Sequence, residues 1–355
     1  MECIEFTYEK KYVDDFIGLY RKIYTDHHEN MQNDNEIRQL LLGTHTLSDY
    51  FSIHKFCVYE GKRVVGRFAI TTYHEDENAY FGFFECINDK EVGKIIFDKA
   101  RQFALEHNYS HIIGPVDASF WIKYRLKINL FDKEPYTGEP YNKDYYQAMF
   151  EENGFKVMKH YSSSIYNTVD KSFSNKKYEE RLLEFTKAGY KIESPTSEKW
   201  EETIGDIYRM ITRLYSDFPI YKNLSKEDFA SNFDSYRQIV DFSMVKMAYF
   251  EGKAVGFFIS IPNYGNAVYH TSNPLSILKI LKTRKNPKEY VMLYMGVEPE
   301  HKGLGKALVQ SIVKELTASG LPSIGALQMD GKVTKNYVEE MIEKRYEYNL
   351  YCTEL

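Results

Sequence analysis

Between Val297 and Gln310 the chain reads VEPEHKGLGKALVQ. Gly303 and Gly305 stand one residue apart between an apolar run, 290–297, and a run with apolar residues at helical spacing, 306–319. That order predicts strand, loop, helix. A helix N-terminus presents unpaired N–H groups and the positive end of the helix dipole. Glycines let the backbone approach an anion closely, and Lys302 and Lys306 add positive charge. The chemistry this loop suits is phosphate binding. It is not a nucleotide P-loop, because Ala307 follows Gly305-Lys306 and Glu300 stands where the first glycine belongs. It is not the dinucleotide fingerprint either: Leu308 stands at the third glycine, and Pro299-Glu300-His301 separates the glycines from the strand.

Other reactive side chains form no such pattern. His27 and His28 are adjacent and would leave a helix on different faces, and no HExxH occurs, so no metal is expected. Cys3, Cys57, Cys86 and Cys352 are scattered without a CxxC pair, which predicts reduced thiols in a cytoplasmic protein. Forty-six basic and fifty-one acidic residues give a net charge of −5, which argues against nucleic acid as a partner. No apolar run approaches the length of a membrane span or a signal peptide, so no membrane partner is expected. The 31 tyrosines and 23 phenylalanines read mainly as core and strand filling.

The elements that position the loop occur twice. YEGKRVVGRFAI (59–70) matches FEGKAVGFFISI (250–261), each a strand, a Glu-Gly-Lys turn and a strand. KEVGKIIFDKARQFALEH (90–107) matches KGLGKALVQSIVKELTAS (302–319). The order in each half is helices, hairpin, strand, helix, strand, helix, strand. The halves are expected to join in the polar stretch 169–181, giving domains 1–170 and 171–355. Residues 263–289 have no counterpart in the first half and contain the short amphipathic stretch LSILKILKT.

Lys302-Gly303-Leu304-Gly305-Lys306-Ala307, after Val297-Glu298-Pro299, resembles the acyl-CoA pyrophosphate loop of the GNAT acetyltransferase superfamily. That loop reads Gln/Arg-x-x-Gly-x-Gly/Ala after a strand ending Val-x-Pro. Gly305 and Ala307 match its two small positions. Lys302 replaces Gln or Arg, keeping charge and losing bidentate geometry. GPVDAS (114–119), PYNKDYYQAMFEENGF (140–155), GFFISIPN (256–263) and MGVEPEHKGLGKAL (295–308) resemble a bacterial family of tandem-GNAT proteins, a likeness over nearly the whole chain.

The resemblance implies an α+β fold, α/β/α layers around a mixed, mostly antiparallel sheet, in two tandem GNAT-like domains. It implies an N-acetyltransferase that moves an acetyl or other acyl group from acyl-CoA to a small-molecule amine or amino acid derivative by direct attack. Met295, Gly296 and Val297 would hold the pantetheine arm. Lys302, Gly303, Leu304, Gly305, Lys306 and Ala307 would hold the pyrophosphate. A tyrosine on the helix after the fifth strand, here 333–348, often protonates the leaving thiolate. Its usual place falls near Ile342 or Glu343, which leaves Tyr337 and Tyr346 as the catalytic candidates on that segment. Glu289, Tyr290 and Tyr294 are open candidates for the base.

Glu91 and Ile95 stand in the first half where Gly303 and Ala307 stand in the second. A carboxylate beside a pyrophosphate repels it and bulk blocks approach, so only the second half is expected to bind acyl-CoA. The first half would wall the substrate pocket, with 136–146 as the segment that does so. A non-catalytic acyl-CoA-binding sensor or scaffold is the second reading. Aminoacyl transfer from tRNA is a third, against which the acidic net charge counts.

Overall fold

The computed structural model describes residues 1–355, the side chain of Val333 excepted. The chain divides into two compact units, Met1–Tyr161 with Glu347–Leu355, and Ser162–Tyr346. Both are mixed sheets with helices, the α+β class the sequence predicts.

The first unit begins with β1 (Glu2–Phe6), α1 (Lys10–Ile23), α2 (Asp34–Leu42), β2 (Ser52–Glu60), β3 (Arg63–Thr72), β4 (Asn78–Cys86), α3 (Lys90–Glu106) and β5 (His111–Gly114). Three short strands, β6 (Val116–Asp117), β7 (Lys123–Tyr124) and β8 (Leu126–Lys127), precede α4 (Tyr146–Glu152) and β9 (Lys156–Tyr166), whose residues from Ser162 onward belong to the second unit. The second unit holds α5 (Lys176–Lys187), β10 (Lys191–Glu193), α6 (Trp200–Leu214), α7 (Lys226–Phe233), α8 (Tyr236–Ile239), β11 (Val245–Phe250) and β12 (Lys253–Pro262). It continues through α9 (Pro274–Lys285), β13 (Tyr290–Val297), α10 (Leu304–Ser319) and β14 (Ser323–Met329) into the start of β15 (Ile342–Glu354), whose residues from Glu347 onward belong to the first unit.

The duplication is visible in the hydrogen-bond register. Tyr59 faces Val64 and Glu60 faces Arg63 across one hairpin; Tyr249 faces Ala254 and Phe250 faces Lys253 across the other. Each hairpin shifts register one residue earlier, at Val58/Tyr59 and at Ala248/Tyr249. The left-handed backbone of the turns, with φ +59° at Gly61 and +78° at Gly252, is one glycine adopts without strain. The next strand pairs antiparallel with the hairpin, and the strand after the helix pairs parallel with it.

Alternate residues of β2 and β3 feed two cores, as the two-residue period of a strand requires, and in β4 the irregularity at Phe83 turns that residue to the face opposite Phe81. Phe56, Phe68 and Phe81 pack with Ile96, Phe97 and Phe150 of α3 and α4; Cys57, Ala69 and Phe83 pack with Phe16, Leu19 and Leu40 of α1 and α2. Helices thus cover both faces. In the second unit Ala248, Val255 and Phe258 pack with Leu308, Ile312 and Leu316 of α10, and α5 lies against α10.

The structure changes two expectations. The segment 333–348 is not a helix: it forms 3-10 turns at Val333–Asn336 and Glu339–Met341 and then enters β15. The strand wins because 346–350 put Tyr346, Tyr348 and Leu350 into the interior while Glu343, Arg345 and Glu347 alternate with them on the more exposed side. The domain boundaries also move, from 170/171 to 161/162, and 347–355 returns to the first unit. There Tyr351 to Glu354 pair antiparallel with β5, and Tyr348 and Asn349 with β8.

In the segment 136–146, Pro140, Tyr141, Asn142 and Tyr146 line a small depression within the first unit together with Glu85, Asp117 and Lys123. Burial raises the Glu85 carboxyl above its ordinary range, with Arg67 acting in the opposite direction.

Candidate acyl-CoA site

β13 and β14 run side by side for three residues only, Tyr290 with Ser323, Val291 with Ile324 and Met292 with Gly325. β13 stays paired with β12 as far as Val297. From Leu293 onward its other edge has no partner strand among the described residues, so the sheet is splayed beside Met295, Gly296 and Val297. A register shift in β12–β13, between Ile259 and Ser260, sits at the point where the splay begins. Gly296 answers a packing demand: a Cβ there would meet Phe257 and, from α6, Leu214. The hydroxyl of Tyr215, just past α6, donates to the Met295 carbonyl at 3.3 Å.

Beyond β13 the chain makes a 3-10 turn at Pro299–His301 and reaches Gly303, the N-cap of α10, with φ +98°. No side chain caps this helix. A left-handed cap residue turns the chain sharply into the helix and leaves the first N–H groups facing outward. Leu304 and Ala307 point the other way and are fully buried in the core. Lys302 is exposed and Lys306 is half-buried on the first turn.

α5, which packs along α10, brings two further cations. Arg181 comes close to Gly303, and Lys177 and Arg181 both act on Lys306. Desolvation, and then the like charges of Lys177 and Arg181, hold the Lys306 ammonium below its ordinary range. Lys302, Lys306, Lys177 and Arg181 therefore gather at one uncapped helix start. Arg181 is already ion-paired with Glu184 at 2.7 Å in an exposed pair; the other like charges collected at a positive helix end cost free energy unless an anion comes to them. Lys177 and Arg181 lie some 120 residues upstream of the loop. The sequence signal for them is their four-residue spacing, which places both on one face of α5.

Gly305 has a different neighbour from the one its motif implies. A Cβ there would overlap the Tyr337 hydroxyl and lie 3.2 Å from Met295 Cε. The phenol thus rests on the first turn of α10 next to β13. Burial, and then Tyr178, raise its pKa above the ordinary tyrosine value, so it stays protonated. Tyr166 fixes the segment by donating to the Tyr337 carbonyl at 3.0 Å, and Tyr178 by accepting from the Val338 N–H at 3.1 Å. Tyr346 is elsewhere, on β15, and only 4% exposed. Glu289 accepts from the Asn263 amide at 2.6 Å, and the Tyr290 hydroxyl donates to Asp241 at 2.7 Å. Tyr294 packs edge-on against Phe233.

The first unit has closed each of these features with its own atoms. Asp89 caps α3, its Oδ1 accepting from the N–H groups of Glu91 and Val92 at 2.8 and 3.4 Å. The chain after β5 turns back over β4 so closely that a Cβ on Gly82 would overlap the Val116 carbonyl. Asp117 Oδ1 then accepts from the Phe83 N–H at 2.5 Å, where φ is +50° and β3–β4 shifts register. Ile95, the bulk expected to block approach, packs partly buried against the core.

Known structures repeat this architecture. A tandem GNAT protein from the clavulanic acid biosynthesis pathway, solved without acetyl-CoA, is similar over 99% of this chain and 98% of its own, with a TM-score of 0.54 at 11% identity. The fold is a tandem GNAT fold. The GCN5-related glucosamine N-acetyltransferase region of a fungal multi-domain GH3 β-N-acetylglucosaminidase is similar to this chain with a TM-score of 0.56 at 15% identity, over 99% of this chain and 38% of that one. A conserved protein of Enterococcus faecalis V583, titled a probable N-acyltransferase, gives 0.51 at 8% identity, over 99% and 72%. Among curated proteins, YghO of Escherichia coli K12 is 21% identical over 212 residues, 58% of this chain and 54% of YghO, so the match spans about half the length of that relative. No family model matches the chain. Among the described residues no cluster could hold a metal ion, and no helix is long and apolar enough to cross a membrane.

Proposed function

We propose that the second unit binds an acyl-CoA, acetyl-CoA first among them, and transfers its acyl group to a small-molecule amine. The observation that carries this reading is the contrast between two copies of one element. α10 starts uncapped among Lys302, Lys306, Lys177 and Arg181, whereas the start of α3 is neutralised by Asp89. Phosphates would lie against the N–H groups of the first α10 turn and the four cations. The pantetheine arm would add to the free edge of β13 at Met295, Gly296 and Val297.

In the transfer a neutral amine nitrogen attacks the thioester carbonyl carbon, the C–S bond breaks, the nitrogen gives up a proton to water, and the thiolate takes one from a protein donor that solvent then reprotonates. Tyr337 is our candidate donor. Its hydroxyl stands against Gly305 and Met295, on the two elements assigned to the CoA, and its raised pKa keeps the proton available.

Calorimetric titration with acetyl-CoA tests the binding step. Each of Lys177→Ala and Arg181→Ala should weaken binding about 5- to 20-fold, the range of a lost charge-assisted contact. Acetyl-pantetheine, which lacks the diphosphate, should bind the parent and both variants alike. No binding of acetyl-CoA by the parent would end the reading. These positions are better probes than Gly303, because φ +98° strains any side chain placed there.

The second reading, a non-catalytic acyl-CoA binder, is favoured by one observation. The helix expected after β14 is replaced by 3-10 turns and a strand. Thiol release from acetyl-CoA across a panel of amines separates the two: release with any amine supports transfer, and tight binding with no release supports the sensor.

A further inference from the structure

We propose that α9 lays the protein on an anionic lipid surface. This helix belongs to the stretch without a counterpart in the first half, and none of its residues is buried. Its outward face carries Leu275, Leu278 and Leu281, exposed to 73%, 61% and 57%. The spacing i, i+3, i+6 keeps them in one row. Ser276, Ile280 and Thr283 are the less exposed side that faces the body. Isolated surface leucines need no explanation; three in a row on an otherwise uncovered helix do.

Charge supplies the second observation and identifies the occupant. Residues 271–288 contain Lys279, Lys282, Arg284, Lys285 and Lys288 and no Asp or Glu, in a chain whose net charge is −5. Among the described residues Lys279, Lys282, Lys285 and Lys288 make no ion pair with a carboxylate. Lys282 and Lys285 lie between the leucines on the same outward face. Their methylene stems can follow the leucines into the acyl boundary while the ammonium groups rise to lipid phosphates. A dimer through this face would set those lysines against their own copies, which charge opposes. The helix itself is well anchored for the task, with Asn273 capping the Leu275 N–H at 3.0 Å and Pro274 in the first turn. The expectation of no membrane partner rested on the lack of a spanning segment, which does not bear on a helix lying in the interface.

The test is co-sedimentation of the full-length protein with two kinds of vesicle, phosphatidylcholine alone and phosphatidylcholine with a third phosphatidylglycerol. The parent should sediment with the anionic vesicles and not with the neutral ones, and high salt should weaken the association. Lys282→Ala with Lys285→Ala should reduce the partition about 30-fold, roughly fivefold per cation. Leu278→Ser with Leu281→Ser should reduce it about tenfold per leucine. All four residues are exposed, so both variants should unfold at the parent's temperature and bind acetyl-CoA as the parent does. Sedimentation equal on both vesicles, none on either, or no change in either variant would overturn the proposal. So would a concentration-dependent dimer in light scattering that Leu278→Ser with Leu281→Ser abolishes. Binding to acetyl-CoA is a separate readout, so failure here leaves the acyl-CoA reading standing.

Discussion

Lys306 connects structure to a measurable proton. Desolvation and the charges of Lys177 and Arg181 lower its pKa in the free protein. A diphosphate beside it would remove the like-charge cause and raise the pKa on binding. A group whose pKa is higher in the complex takes up protons as the complex forms, so affinity for acetyl-CoA should fall as pH rises through the Lys306 titration. Calorimetry at alkaline pH in two buffers of different ionisation enthalpy should report net proton uptake by the parent and less by Lys306→Met. Equal heats in both buffers would remove Lys306 from the phosphate site. Tyr337 gives the second prediction at this scale. Tyr337→Phe keeps the ring and loses the hydroxyl, which is both the proposed donor and the atom lying against Gly305. With Tyr337 as donor, kcat should drop about 100-fold, in the range of general acid catalysis, while KM for acetyl-CoA changes little. A rise in KM with kcat intact would make the phenol a packing residue of the loop.

Two helix starts at matching places in the two units carry opposite chemistry. Asp89 gives α3 the side-chain oxygen that helix N-termini prefer, and Gly303 gives α10 none. Asp89→Ala should therefore destabilise the first unit by about 1 kcal/mol. It should not create a second acetyl-CoA site, because Val116 and Asp117 still cover the bulge at Phe83. A stoichiometry of two in that variant would show that the cap alone had closed the first copy. The same elements show what could be read from the residues. The hairpins, the repeated helix and the glycine loop were legible because each rests on local rules: strand alternation, a glycine turn, a helical stripe after a strand. The helix expected at 333–348 gives way from Ile342 onward to a strand whose formation is decided elsewhere, by β5 and β8 offering hydrogen-bond edges. Lys177 and Arg181 could not be placed at the loop from sequence, since only the packing of α5 along α10 brings them there. Gly305 was legible as a glycine but not in its reason, the nearby phenol of Tyr337.

At the scale of the molecule, sequence continuity and structural unit part company. The last nine residues, Glu347–Leu355, belong to the first unit, although nearly two hundred residues separate them from the rest of it. Their contribution is large. Tyr348, Leu350 and Tyr351 are fully buried, the Tyr348 hydroxyl donates to Glu139 at 2.8 Å, and Glu139 forms an ion pair with Lys127 at 2.9 Å in which both side chains are inaccessible to solvent. Removing the strand would expose the β5 edge and leave that buried pair without one of its hydrogen bonds, changes that cost several kcal/mol together. The second unit, Ser162–Tyr346, keeps its β12–β13–β14 core and α10 without this segment. A chain ending at Tyr346 should therefore lose amide protection in β2–β5 and keep it in β12, β13 and α10 when hydrogen exchange is followed by mass spectrometry. Acetyl-CoA should still protect the first turn of α10 in that chain. Loss of protection in both units together would show that the first unit is needed to hold the second in its binding form. The exchanged strand would then be part of the acyl-CoA site's support as well as of the first unit's sheet.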